Sequence, residues 1–421
     1  MTAATEPPPR IVTLDIVRGV AVMGILAMNI VAFAMPFQAY MNPLAFGNEG
    51  PADIASWAFN FVFVDGKMRG LFSFLFGASM LLVIERAEAA GRSPAAIHYS
   101  RMAWLLLFGL VHFYFIWHGD ILAGYAQIGL IAFFFRRKST GTLIRWGIGL
   151  LVVQLLAFGG LAAGAFYLQT QAAMPGAPAD VVREWQGLQA ELGVPAGAAL
   201  AQKLALFTGP YAGIVAHQLD DALEPFVSTL MFGWETLAYF LFGMAALKNG
   251  FLRGEWDDAR YRRTALIGFG IGIPVYALLG FIAYRGGFDI PILLATVMAG
   301  TVPFRPLMVV ATAALVILLT RRGGALVARI AAAGRAAFTN YLGTSIVMTA
   351  WFYGWGFGMY GSFSRVELWV TVFAMWALML LWSKPWLDRF QYGPFEWLWR
   401  SLSRFEPQPM RRRREPTEAT A

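Results

Sequence analysis

Long apolar runs recur along the chain, separated by short clusters of arginine, glycine and proline. Taken at the length a helix needs to cross a hydrocarbon core, about 20 residues, they predict helices. These fall near residues 19–36, 70–84, 102–117, 120–135, 146–168, 226–247, 265–284, 304–320, 338–359 and 366–383. The expected fold is all-α, a polytopic transmembrane helix bundle of about ten spans. Two stretches depart from the pattern. Residues 54–69 are apolar up to Val64 and then turn polar through Asp65-Gly66-Lys67-Met68-Arg69, and 288–301 is a short apolar piece followed by Pro303 and Pro306. Each is expected to be a re-entrant or interfacial helix, or half of a broken one.

The polar intervals carry the orientation. Arg86, Arg92 and Arg101 fall in one loop, and Arg136, Arg137, Lys138 and Arg145 in a second. Lys248, Arg253, Arg260, Arg262 and Arg263 fall in a third, Arg321, Arg322, Arg329 and Arg335 in a fourth, and Arg411 to Arg414 near the end. These are alternate loops, so the excess of basic residues on the inner side places both termini in the cytoplasm. The chain then divides into a cytoplasmic segment 1–18, membrane helices over 19–168, an outer loop 169–225, membrane helices over 226–383, and a basic tail 384–421. The outer loop, with Pro175, Pro178 and Pro195 and an amphipathic run over 181–192, is expected to form short surface helices that cap a cavity. The N-terminus, with Pro7-Pro8-Pro9 between Glu6 and Arg10, has no signal-peptide pattern, so the first apolar run is expected to stay as a helix.

Composition agrees. With 58% hydrophobic residues, 14% charged and 15 tryptophans in 421 positions, there is too much apolar surface for one soluble core. The lipid bilayer is therefore the first partner. Cysteine is absent, which excludes disulfides, thiolate catalysis and cysteine-ligated zinc. The four histidines have no metal spacing, so no metal is expected. A net charge of +8 spread over helix ends reflects topology and not nucleic-acid binding. The Arg411–Arg414 run suits anionic lipid headgroups.

Four polar constellations stand out. Asp15 and Arg18, three residues apart, share one helix face at the membrane edge, either as an ion pair that orients the first helix or as a binding element for an anion. Asn29 lies about 16 Å further along the same helix and needs a partner. Asp65, Lys67 and Arg69 occupy the break after 54–64, where polar residues line a cavity or form an ordinary loop. His118 and Asp120 flank Gly119 in a tight turn, an arrangement suited to a general base with a carboxylate orienter, while His112 is the weaker candidate. Glu235 is the carboxylate placed deepest in an apolar run, and Asn340, Tyr341 and Ser345 begin another; structural pairing competes with a binding role for both.

Five motifs follow one another along the chain: Leu14-Asp-x-x-Arg-Gly, Asp65-Gly-Lys-Met-Arg-Gly-Leu-Phe-Ser, His118-Gly-Asp-Ile-Leu, Thr339-Asn-Tyr-Leu and Gly393-Pro-Phe-Glu-Trp-Leu-Trp-Arg. Together they resemble the bacterial YeiB-like family of inner-membrane proteins, a family with a domain of unknown function and a suggested role in transport. The resemblance covers nearly the whole chain and implies a YeiB-like C-terminal domain over 226–383 and a multi-pass protein of the inner (plasma) membrane. At Asp15 and Arg18 the chain is also similar to transmembrane acyltransferases of the acyltransferase-3 and heparan-alpha-glucosaminide N-acetyltransferase type. Those pass an acyl group from cytoplasmic coenzyme A to a glycan-like acceptor; their catalytic histidine has no counterpart matched by motif here.

The expectation is an acyltransferase-like enzyme with no permanently bound cofactor. It takes acyl-CoA as donor and a glycan-like or small polar acceptor, with His118 as base and Asp120 as orienter. Asp15, Arg18, Asn29, Asp65, Lys67, Arg69, Glu235 and Asn340 are the candidate binding residues. The alternatives are a permease for a small polar solute, with Asp65, Lys67, Arg69 and Glu235 along its path, and a non-catalytic scaffold with all charges paired.

Overall fold

Every one of these apolar runs coincides with a helix, in a computed structural model that describes residues 10–412. Most of the helices begin in the polar residues just before their apolar run. Ser93 caps one by accepting the Ala96 N–H at 3.3 Å ahead of Pro94, Ser139 caps another at 3.4 Å, and Asp257 accepts the Arg260 N–H at 2.8 Å. Hydropathy alone does not see such caps, so the helices run longer than their apolar cores. Among the described residues the fold is helical throughout, with no strand. Among the described residues, six helical segments are long and apolar enough to cross a membrane: Val12–Ala34, the interrupted Pro51–Ala89, Thr140–Ala172, Glu224–Lys248, Asp258–Arg285 and Leu368–Arg389. Shorter apolar helices at Leu122–Phe135, Ile290–Ala299 and Arg305–Thr320 lie among them. This is a multi-pass membrane protein.

Burial sorts the helices into layers. The most apolar window of Val12–Ala34 is 78% buried, against 22% for Thr140–Ala172 and for Asp258–Arg285. The first helix is therefore a central post surrounded by protein, and the other two present most of their surface outward. Glycine decides the closest approaches. A side chain at Gly77 would strike the Phe240 backbone and one at Gly243 the Phe74 carbonyl, so Lys67–Ala89 and Glu224–Lys248 cross backbone to backbone. Gly19 and Gly334 do the same, facing Ile330 and the Asp15 carbonyl.

That second crossing corrects the sequence reading of 321–335 as a loop. Arg321 and Arg322 lie in a turn, but Arg329 and Arg335 sit on a helix, Ala325–Arg335, packed along the first helix, because Ala332, Ala333 and Gly334 form a small-residue face that can bury there. Likewise 338–359 is helical only to Phe352, after which Tyr353 is extended.

Both irregular stretches are broken helices. Pro51–Phe59 continues through a π-helical turn, Asn60–Val64, and stops at Asp65 and Gly66, whose φ of +67° favours glycine; a new helix starts at Lys67. Ile290–Leu293 passes through a second π turn, Leu294–Ala299, and the chain restarts at Arg305. Pi turns and breaks leave backbone groups unpaired, and in an apolar bundle such breaks survive beside protein or a cavity.

The basic clusters meet at one end of the bundle. Arg137 pairs with Glu88 at 3.2 Å, Lys248 donates to the Arg136 carbonyl at 3.0 Å, and Arg335 reaches the Gln391 carbonyl at 3.4 Å. The C-terminal helix Pro394–Arg404 docks at this end. Glu396 accepts the Phe338 and Thr339 N–H groups at 2.7 and 3.1 Å, filling the free N-terminal donors of Ala337–Phe352. Burial pushes the Glu396 pKa up, and the Thr339 and Phe338 donors oppose it. Trp399 donates to the Arg101 carbonyl at 3.0 Å beneath the Arg101 guanidinium. Two of the recognisable motifs are thus halves of one joint. The proposed lipid contact of Arg411–Arg414 falls partly on Arg413 and Arg414, which lie outside the described residues, as do residues 1–9.

Candidate functional site

A cavity of about 820 Å³ opens at the opposite end. Its wall is built from the C-terminal part of the first helix, the break at Asp65 and Gly66, the turn at 117–121, the Glu224–Lys248 helix and the short helices between residues 197 and 220. Gly197–Thr208 contributes Lys203 and Phe207, and Tyr211–Asp220 contributes His217.

Five of the candidates meet there: Asn29, Asp65, Arg69, His118 and Asp120. His118 makes no hydrogen bond within the protein among the described residues, and its ring lies 6.0 Å from that of Phe207. Burial, and secondarily the His217 ring, lower its pKa to about 4. The imidazole is therefore neutral near pH 7, with a lone pair available to accept a proton. Asp120 does not orient it. The turn directs Asp120 back toward its own helices, where Oδ2 bonds His112 Nδ1 at 2.8 Å and Oδ1 accepts the Ala123 N–H at 2.7 Å. The carboxylate caps the helix Leu122–Ala132 and fixes the His112 ring, leaving His112 Nε2 buried without a partner. The Tyr341 hydroxyl accepts the Ile121 N–H at 3.2 Å and so ties the turn to Ala337–Phe352.

Asp65 accepts from the Tyr40 hydroxyl at 2.5 Å. Arg69 donates to Glu235 at 2.7 Å. Glu235, fully buried, also receives both its oxygens' bonds from Arg305 Nη1, at 2.6 and 2.7 Å, and stands behind the cavity wall, not in it. Arg305 does line the cavity. The sequence reading missed it, although an arginine between Pro303 and Pro306 in an interrupted apolar run was the available signal.

The remaining candidates sit elsewhere. Lys67 is sealed off, donating to the Phe61 carbonyl with Nζ 3.3 Å from the Tyr276 ring centroid. Asp15 and Arg18 are at the basic end; Asp15 pairs with Arg10 and, at 3.4 Å, with Arg18, whose Nη2 donates to Ser79 at 2.6 Å. Asn340 fastens helices together, donating to the Ala333 carbonyl at 3.0 Å and Ser383 at 3.2 Å and accepting from Trp382 at 2.9 Å. Asn340→Ala should lower stability by about 1–3 kcal/mol, since it orphans buried groups. Any ligand that shifts the melting temperature should bind it as it binds the parent, and weakened binding at full occupancy of the folded state would contradict this structural assignment.

The sequence comparisons agree with this whole-chain pattern. The family described as "Protein of unknown function (DUF418)" matches residues 246–406. The chain is 32% identical over 405 residues to "Uncharacterized protein YeiB" of Escherichia coli (strain K12), covering 94% of this chain and 96% of that one. It is 31% identical over 418 residues to "Uncharacterized protein YxaH" of Bacillus subtilis (strain 168), covering 95% and 96%. A protein from Bacillus acidopullulyticus described as an "Uncharacterized 39.9 kDa protein in amylase 3'region" is 25% identical over 397 residues, with 94% of each covered. No solved structure matches.

Proposed function

The chain belongs to the YeiB-like family that carries the domain of unknown function DUF418, and from that premise we propose an acyltransferase-like enzyme of the bacterial inner membrane. Both termini lie in the cytoplasm by the distribution of basic residues, so the cavity opens outward. The observation that carries the reading is His118 in a large cavity, neutral and without a protein partner, beside the Asp120–His112 pair.

In this reading the polar acceptor occupies the cavity. His118 takes the proton of its hydroxyl or amine as the oxygen or nitrogen attacks the thioester carbonyl. The acyl–acceptor bond forms, the carbon–sulfur bond breaks, and the proton passes from His118 to the departing coenzyme A thiolate. Asp120 acts by holding the turn and His112, not by contacting His118. Donor phosphates belong at the opposite, basic end. There Arg400 lies 4.7 Å from the Tyr392 ring, and burial lowers its pKa with Arg404 and Arg18 adding to the effect. Asp15 and Arg18 on this reading serve the donor side.

A second reading, a permease for a small polar solute, is favoured by one observation: two broken helices restart beside Glu235 at the cavity wall. The two part on His118. Thermal melting of detergent-purified protein with acetyl-CoA, longer acyl-CoAs, free coenzyme A and ATP is expected to show a saturable shift for acyl-CoA and none for ATP. His118→Ala should keep that shift while abolishing acetyl-CoA-dependent thiol release. Loss of neither, or no acyl-CoA shift in folded protein, transfers the case to transport, to be read as solute uptake.

A further inference from the structure

The charges behind the cavity wall do not balance. Arg69 and Arg305 share one carboxylate, Glu235. The nearest other ionisable side chains are engaged elsewhere: Asp65 is bonded to Tyr40, and Lys67 is sealed against Phe61 and Tyr276, so among the described residues neither pairs with the two arginines. Within this cluster two guanidiniums therefore share one carboxylate, because the other buried carboxylate of the wall, Asp120, is held by His112 and Ala123, and an incompletely paired ion at such depth is costly.

The surplus faces the cavity. Glu235 is fully buried and does not line it, whereas both guanidiniums do. Arg305 is nearly spent, with Nη1 on both Glu235 oxygens and Nη2 on Thr301 Oγ1. Arg69 is not. Its Nη2 donates to Glu235, and among the described residues Nε and Nη1 have no hydrogen-bond acceptor, while the side chain keeps 19% of its surface exposed. Both helix breaks also bring the start of a helix to this wall, at Gly66 ahead of Lys67 and at Arg305.

We propose that Arg69, backed by the Arg305–Glu235 pair, is an anion subsite: the molecule that occupies the cavity carries a carboxylate or phosphate that bonds the free edge of the Arg69 guanidinium. The inference rests on the cavity being the acceptor site proposed above, and it specifies that acceptor as an anionic molecule. The same chemistry is offered by a soluble anion and by an anionic lipid headgroup, since the cavity wall also holds Phe37, Phe158, Phe207 and Phe232.

The test is melting of the full chain in a neutral detergent with sodium phosphate, glycerol 3-phosphate, succinate or glycerol, and in mixed micelles with phosphatidylglycerol or phosphatidylcholine. A saturable rise with at least one anionic probe and none with glycerol or phosphatidylcholine is expected. A response to phosphatidylglycerol alone identifies the source as lipid, and a response to the soluble anions identifies a free solute. Arg69→Gln leaves the Arg305–Glu235 pair whole and removes the surplus charge. It should fold at least as well as the parent and bind the effective anion at least about 10-fold more weakly. Arg69→Lys, which keeps charge but loses the planar fork, should fall between the two. Equal anion response in Arg69→Gln, or no anion response in folded parent protein, overturns the subsite. The two proposals fail separately. An anion response that is lost in Arg69→Gln, together with no acyl-CoA shift in the folded parent, defeats the enzyme reading alone, while acyl-CoA turnover that His118→Ala abolishes, together with an anion response indifferent to Arg69, defeats the subsite alone.

Discussion

Glu235→Ala is expected to be the most damaging single side-chain truncation in the protein. It removes the only carboxylate within salt-bridge distance of Arg69 and Arg305 among the described residues. Arg305 then keeps a hydrogen bond to Thr301 but no counter-charge, and its buried Nε already has no partner. Breaking a buried ion pair from one side costs about 3–5 kcal/mol, because the remaining charge is left desolvated. Here two charges are left. The expected result is a strongly depressed melting temperature and poor recovery of folded protein. Glu235→Gln should fall short of that, since an amide oxygen still accepts from one guanidinium. Adding Arg305→Met to Glu235→Ala should recover part of the loss by removing an orphaned charge. A melting temperature for Glu235→Ala close to the parent's would mean that water or a flexible side chain satisfies the arginines, and the ion cluster would lose its structural role.

Gly243→Leu should cost about 3 kcal/mol or more, by steric overlap instead of charge. The first atom of any side chain there meets the Phe74 carbonyl, which is main chain and cannot rotate away. Relief requires Lys67–Ala89 and Glu224–Lys248 to separate, and those helices carry Arg69 and Glu235 respectively. The variant is therefore expected to lose both stability and any anion response linked to Arg69. Gly149→Leu is the control, because nothing lies within 4 Å of a side chain at that position. Comparable melting of the two variants would show that the close crossing is looser than its geometry implies.

How legible the molecule was from its residues follows from the kind of interaction involved. Apolar runs long enough for a bilayer place helices by local composition, so each expected stretch contains a helix, although among the described residues six and not ten are long and apolar enough to span, and 338–359 is helical only to Phe352. Breaks were legible too, at 54–69 and 288–301, because polar residues and prolines interrupt the pattern locally. The helix Ala325–Arg335 was not, since its short alanine-rich face becomes apolar surface only against the first helix. Asp120 was given the wrong partner for a related reason. Adjacency in sequence favoured His118, whereas the side chain one helical turn and a bend away, His112, lies in bonding distance.

What the sequence determined by itself was class, helix positions, family resemblance and the presence of unusual charges in apolar surroundings, all of which depend on composition within a window of a few turns. Tertiary structure alone decided which charges share a site. It separated Asp15, Arg18, Lys67 and Asn340 from the cavity and put Asn29, Asp65, Arg69, His118 and Asp120 around it. It also supplied Arg305, 70 residues from Glu235 in the chain. Partners this distant are selected by how helices cross, and those crossings depend on backbone contacts at Gly77, Gly243, Gly19 and Gly334 that no local pattern encodes.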